Sequence, residues 1–176
     1  MPLPVAHGLV GAAVVAALHP RPLRLRRLPL VIGGALANCA DADFLLVWWF
    51  GSKAWHRGFT HSFAFAAALA LVAFAVWGRS HFREALAYCL AYASHGALDF
   101  LTTKAGGGVE LWWPLTPARY GLRLWGLSEL PSQLTPAEVT AWLLLELLIF
   151  APPLLLVLLL RRRLKSQAGA PPQASK

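Results

Sequence analysis

The 176 residues are 57% hydrophobic with a mean hydropathy of +0.54, which excludes an ordinary soluble domain and leaves room for one bundle of membrane helices. The net charge of +8 does not mark a nucleic-acid binder, because the basic residues sit in short clusters beside apolar segments rather than on an aromatic-studded soluble face. Cys39 and Cys89 stand far apart in apolar stretches, which excludes a disulfide framework and a zinc-ribbon spacing; both read as small core residues, with Cys39 a spare ligand beside Asp41.

Apolar segments fall at about 4–18, 28–50, 61–78, 84–103 and 139–160, which predicts an all-α integral membrane bundle of about five helices. They form one domain over 1–165, followed by a disordered Ala/Pro/Gln/Ser tail at 166–176. The first segment has no basic region before it and no small-residue cleavage site after it, so it reads as a retained helix rather than a signal peptide. The second is interrupted by Asn38, Asp41 and Asp43, where the backbone is expected to open. The fourth carries His95 and Asp99 at i, i+4, on one helix face. The last is Leu-rich and holds Pro152 and Pro153, which are expected to kink it.

The Lys/Arg bias sets the orientation. Arg21, Arg24, Arg26, Arg27, Arg79, Arg83, Arg161, Arg162, Arg163, Lys165 and Lys176 go to the cytoplasmic side, against Lys53, Arg57, Lys104, Arg119 and Arg123 outside. The N-terminus is then out and the C-terminus in, in a bacterial-type inner membrane. At about 1.5 Å rise per residue, Asp41 and Asp99 then lie roughly 20 Å from the inner face. His7 and His61 are near the outer ends of their segments, so the polar residues converge on the outer third of the bundle. Trp48, Trp49, Trp55, Trp112, Trp113, Trp125 and Trp142 fall on the same side, which fits either a lipid-facing mouth or anchoring of the long 104–138 loop.

Every Asp of the chain lies in this set, and a carboxylate at the centre of a membrane helix costs roughly 2.5–3.5 kcal/mol, so a cation or proton must compensate Asp41, Asp43 and Asp99. The run His56-Arg57-Gly58-Phe59-Thr60-His61-Ser62 places its histidines five apart, roughly 140° around a continuous helix. They can face one point only if a helix starts between them, for which Gly58 and Thr60 as N-cap provide the means. The helix N-terminus and Arg57 would then suit an anion such as phosphate. His19 and His81 lie among the cytoplasmic arginines and are expected to be solvated; Glu110 reads as an exposed loop carboxylate, and Glu146 as a helix–helix hydrogen-bonding or protonated group.

The series Ala40-Asp41-Ala42-Asp43, His56-Arg57-Gly58-Phe59-Thr60-His61-Ser62, His95-Gly96-Ala97-Leu98-Asp99 and Trp112-Trp113-Pro114, with the early His7, resembles the YdjM-like family of membrane-bound metal-dependent hydrolases over about residues 5 to 117. One departure is Ala40, where that family usually has Pro. The order His, Asp, His, His-x-x-x-Asp is also similar to the ligand order of zinc-dependent phospholipase C enzymes, which implies phosphoester chemistry. These resemblances imply a hydrolase acting on a phosphoester or lipid-like substrate, with water activated by a bound divalent ion. His7, Asp43, His61, His95 and Asp99 are the expected ligands, a donor set that suits Zn2+ and, less well, Mn2+ or Fe2+. Asp41 and His56 are expected as orienting groups, extra ligands or acid/base groups, and Arg57 as a stabiliser of transition-state charge. Which carboxylate plays which part stays open at this level.

The first alternative is a non-enzymatic metal-binding or ion-handling membrane protein, which should carry polar residues through to the inner face; the inner halves of these segments are apolar. The second is a metal-free lipid phosphatase with a nucleophilic His, against which the chain lacks a Pro-Ser-Gly-His run. The expected partners are the lipid bilayer and the substrate, and no nucleic acid.

Overall fold

The computed structural model describes residues 3–20, 27–103, 107–124 and 135–168; Arg21, Arg24, Arg26, Lys104, Trp125 and Lys176, used above to orient the chain, lie outside these residues. The elements are α1 (Pro4–Leu18), α2 (Leu28–Asn38), a 3-10 segment (Cys39–Asp43), α3 (Phe44–Phe50), 3-10 turns at Lys53–Trp55 and Phe59–His61, α4 (Phe63–Trp77), a 3-10 turn at Arg79–His81, α5 (Phe82–Thr102) and α6 (Pro136–Ala168). The fold is all-α, and the β contact among the described residues is one isolated bridge, Val109 to Tyr120.

Local chemistry accounts for the boundaries. Proline opens α1 and α2, where its missing N–H costs nothing. The α2 hydrogen-bond ladder tightens to a 3-10 turn at Cys39–Asp43 and resumes as α3, so the expected opening at the two aspartates does not occur and Leu28–Phe50 runs on as one helical span. Ser62, not Thr60, caps α4: its hydroxyl accepts from the Phe65 N–H at 3.1 Å, while the Thr60 hydroxyl faces Asp43 and His61. Gly78, at φ +75°, ends α4.

Leu28–Phe50 and Pro136–Leu164 are long and apolar enough to cross a membrane; Lys53–His61 with Phe63–Trp77 would form a third span bent by 51°. Outward faces are apolar, as Leu45, Trp48, Trp49, Leu71, Val76 and Leu148 show, which is the pattern of helices solvated by lipid. Cys39 is on such an exposed face, so it is not a core residue, whereas Cys89 is buried. α6 passes through Pro152 and Pro153 as one helix and reaches three residues into the segment expected to be a tail; residues 169–176 lie outside the described residues.

α1 packs on α2, α5 and α6. Its crossing with α2 needs glycine: a Cβ on Gly11 would lie 2.5 Å from the Gly33 carbonyl oxygen. α6 grips both ends of α1. Glu146, buried, accepts from the N–H groups of Leu3 and Ala6, and Arg161 donates to the carbonyls of Ala16 and His19. A carboxylate thus meets the bare N–H end of α1 and a guanidinium its bare C=O end, the arrangement that free backbone groups and the helix dipole both favour. It follows that α1 and α6 run in the same direction. His19 is consequently buried against the Tyr88 ring rather than solvated.

Candidate metal centre

Four elements bring the polar residues to one level of the bundle. His7 comes from the start of α1, Asp41 and Asp43 from the 3-10 segment after α2, His61 from the turn before α4, and His95 and Asp99 from α5. The turn at Phe59–His61 can lie this close to α5 because residue 96 is glycine, whose missing Cβ leaves space for the His61 carbonyl. Tyr92 secures the same turn by donating to the Thr60 carbonyl at 2.7 Å.

Asp43 is fully engaged. Its Oδ1 accepts from His56 Nδ1 at 3.0 Å, and its Oδ2 from the Arg57 N–H at 2.9 Å and the Thr60 hydroxyl at 3.2 Å, with His61 Nδ1 at 3.3 Å. Arg57 holds φ +60°, a left-handed conformation that aims its N–H at Asp43 and its carbonyl at the Glu110 N–H. The Arg57 Nε lies 3.3 Å from Asp99 Oδ2.

The ring nitrogens sort themselves in the same way. His95 Nδ1 donates to the Ala37 carbonyl at 2.6 Å and His61 Nδ1 faces Asp43, which leaves Nε2 of each ring as the bare lone pair. Those two Nε2 atoms meet Asp41 and Asp99. His61 Nε2 is 3.6 Å and His95 Nε2 3.4 Å from Asp41 Oδ1; the corresponding distances to Asp99 Oδ2 are 3.9 and 4.0 Å. All four atoms are buried without a hydrogen-bond partner among the described residues. Each such atom ordinarily costs about 1–3 kcal/mol, so four together at this spacing call for a ligand. Bonds of about 2.0–2.2 Å to a tetrahedral ion put neighbouring donor atoms about 3.3–3.6 Å apart, which the two separations to Asp41 match, while the two to Asp99 are longer.

His7 is buried beside Asp99, with Nε2 3.5 Å from Oδ1, and its ring stacks on His95. His56 stacks on Phe44 and keeps an unpartnered Nε2; it and Asp41, each with side chains 16% exposed, form the open edge of the cluster. Over the top lies the 107–124 loop, held by Arg119, which donates to the carbonyls of Ala54 and His56 and pairs with Glu110 at 3.1 Å. Glu110 is therefore a partly buried clamp residue rather than a free surface carboxylate. Arg119 had no signal in the sequence beyond its charge, because its acceptors are backbone carbonyls.

A family model described as YdjM inner membrane protein matches residues 1–165. The chain belongs to the YdjM inner membrane protein family. Among curated relatives it is 34% identical, over 128 residues, to the inner membrane protein YbcI of Escherichia coli (strain K12), covering 68% of this chain and 72% of that protein. No solved structure matches the chain. Membership of the YdjM family makes this a protein of the inner membrane, in keeping with its apolar helices.

Proposed function

We propose that this member of the YdjM family is a metal-dependent hydrolase of phosphoester or lipid-like substrates, with Asp41, His61, His95 and Asp99 holding a divalent ion. The observation that carries the reading is the group of four buried donor atoms without a hydrogen-bond partner, one on each residue, separated by 3.4 to 4.0 Å along the His–Asp edges, with the Arg57 Nε 3.3 Å from the Asp99 oxygen. Two imidazoles with two carboxylates suit zinc, and manganese or iron less well. A divalent ion there supplies Lewis acidity, bringing the pKa of water toward neutrality and polarising a phosphoryl oxygen.

The residues around it have defined work. This reading exchanges the parts of the two aspartates: Asp41 is the ligand, and Asp43 fixes the tautomers of His56 and His61 from behind. His56, whose side chain is partly exposed and whose buried Nε2 has no hydrogen-bond partner, is the residue we assign to take or give a proton. Arg57, anchored through its backbone on Asp43, sets its guanidinium against Asp99 and offsets charge gathering on a phosphoryl group. The 107–124 loop faces outward and the C-terminal end of α6 lies in the cytoplasm, as the Lys/Arg bias requires.

The test is elemental analysis of detergent-purified wild type, Asp99→Ala and His61→Ala, followed by a screen of the metal-loaded protein on phospholipids and generic phosphoesters. Stoichiometric metal in the wild type, its loss in both variants, and phosphate-ester turnover that a chelator abolishes are expected. Metal without turnover on any substrate would leave a binding protein and refute the hydrolase; absence of metal would refute the site.

A further inference from the structure

Resting on that reading of the first ion, we infer that the centre is binuclear, with Asp99 bridging to a second divalent ion held by His7. A ligating imidazole donates in the plane of its ring, so two rings that serve one ion must have planes that intersect at it. His61 and His95 satisfy this, with planes 76° apart. His7 and His95 do not: their centroids are 3.7 Å apart and their planes differ by only 16°, so the lone pairs run side by side and never converge. The ligand atoms of His7, His95 and Asp99 lie within 4.8 Å of one another, but the stacked rings aim His7 and His95 at separate points rather than at one ion.

Yet His7 is built as a ligand. It is 1% exposed, and neither ring nitrogen has a hydrogen-bond partner among the described residues. Its Nε2 lies 3.5 Å from Asp99 Oδ1, another separation that fits two ligands of one ion. Asp99 Oδ2 meanwhile faces His61 and His95. A carboxylate with one oxygen toward each of two donor groups is a bridging ligand, and ions bridged in this way sit about 3.5–4 Å apart. The second position draws on His7 Nε2 and Asp99 Oδ1, both buried; with two protein ligands it is the weaker place and fills second. Asp41, His56 and His61, whose ligand atoms also lie within 4.8 Å of one another, form the competing location for a second ion.

The full chain in detergent, loaded with Mn2+, decides between these arrangements by elemental analysis and electron paramagnetic resonance. The wild type should carry about two ions with an exchange-coupled spectrum, as expected of a carboxylate bridge. His7→Ala should keep one ion and give an uncoupled spectrum, its retained ion showing that the fold survives. Should the alanine variant fail to fold, His7→Phe, which keeps a ring stacked on His95 but has no lone pair, should do the same. His56→Ala should keep both ions. One ion in the wild type would overturn the second site and leave the first; no ion would overturn both. Two ions in a folded His7 variant, or one in His56→Ala with two in His7→Ala, would also overturn the proposal.

Discussion

Gly96→Ala is the most informative single change, because it adds one methyl group and replaces no proposed ligand. The new Cβ would fall within the van der Waals shell of the His61 carbonyl oxygen, well below the 3.0 Å that real Cβ atoms keep, while Leu111 closes the other side at 3.4 Å. The turn at Phe59–His61 must then retreat from α5 by roughly 1 Å, an overpacking cost of about 1–3 kcal/mol. His61 Nε2 starts 3.9 Å from Asp99 Oδ2, and bonds of about 2.0–2.2 Å cannot bring together two donors more than about 4.4 Å apart. The same retreat therefore takes His61 out of range of an ion still held by His95 and Asp99. Metal affinity should fall by about 10- to 100-fold, the scale seen when supporting groups around a metal are disturbed. Competition with a fluorescent chelator measures this, with thermal unfolding in detergent as the check on folding. Gly121→Ala, whose nearest neighbour would be an ordinary 3.5 Å away, should leave affinity unchanged. A folded Gly96→Ala protein that binds metal like wild type would refute the close-approach argument.

The exchanged roles of the two aspartates predict that Asp41→Asn loses more than about 100-fold in metal affinity while Asp43→Asn loses about 10- to 100-fold; equal or reversed losses by the same competition assay would restore Asp43 as a ligand. Glu146→Ala strips the N-terminus of α1 of its acceptor and should destabilise the protein by about 1–3 kcal/mol, read as a lowered unfolding temperature; an unchanged temperature would show that α6 does not hold α1 in this way. In a background lacking Cys39 and Cys89, a cysteine at the 87% exposed Leu115 should react with an impermeant maleimide in intact cells, and one at Arg83 only after permeabilisation. The opposite pattern would invert the proposed orientation.

The all-α character and the gathering of His7, Asp41, Asp43, His61, His95 and Asp99 at one level were legible because each has a local signature: apolar runs, carboxylates inside them, and histidines beside helix ends; the two aspartates tighten the second segment to a 3-10 stretch rather than opening it. The spacing of Asp41 and Asp43 shows that they diverge, since two residues of a 3-10 turn rotate about 240°. It does not show which one faces the histidines, because that depends on how α2 is rotated against α1 and α5. The Ser62 cap was missed for a related reason: Thr60 and Ser62 are equally good caps, and a long-range bond to Asp43 removes the threonine from the contest. Gly96 and Arg119 act through backbone atoms of distant segments, a kind of contact that leaves no trace in local sequence.

The clasp of α6 on α1 sets an order on biosynthesis. α1 meets the groups of α6 that terminate it only when α6 has been translated, some 140 residues later. Until then the Leu3 and Ala6 N–H groups lack the Glu146 acceptor, and Ala6 keeps only its bond to the Leu3 carbonyl at 3.1 Å. Placement of His7 is in this way tied to the docking of α6, so a chain in which α6 has not packed lacks the contact that fixes this histidine's helix.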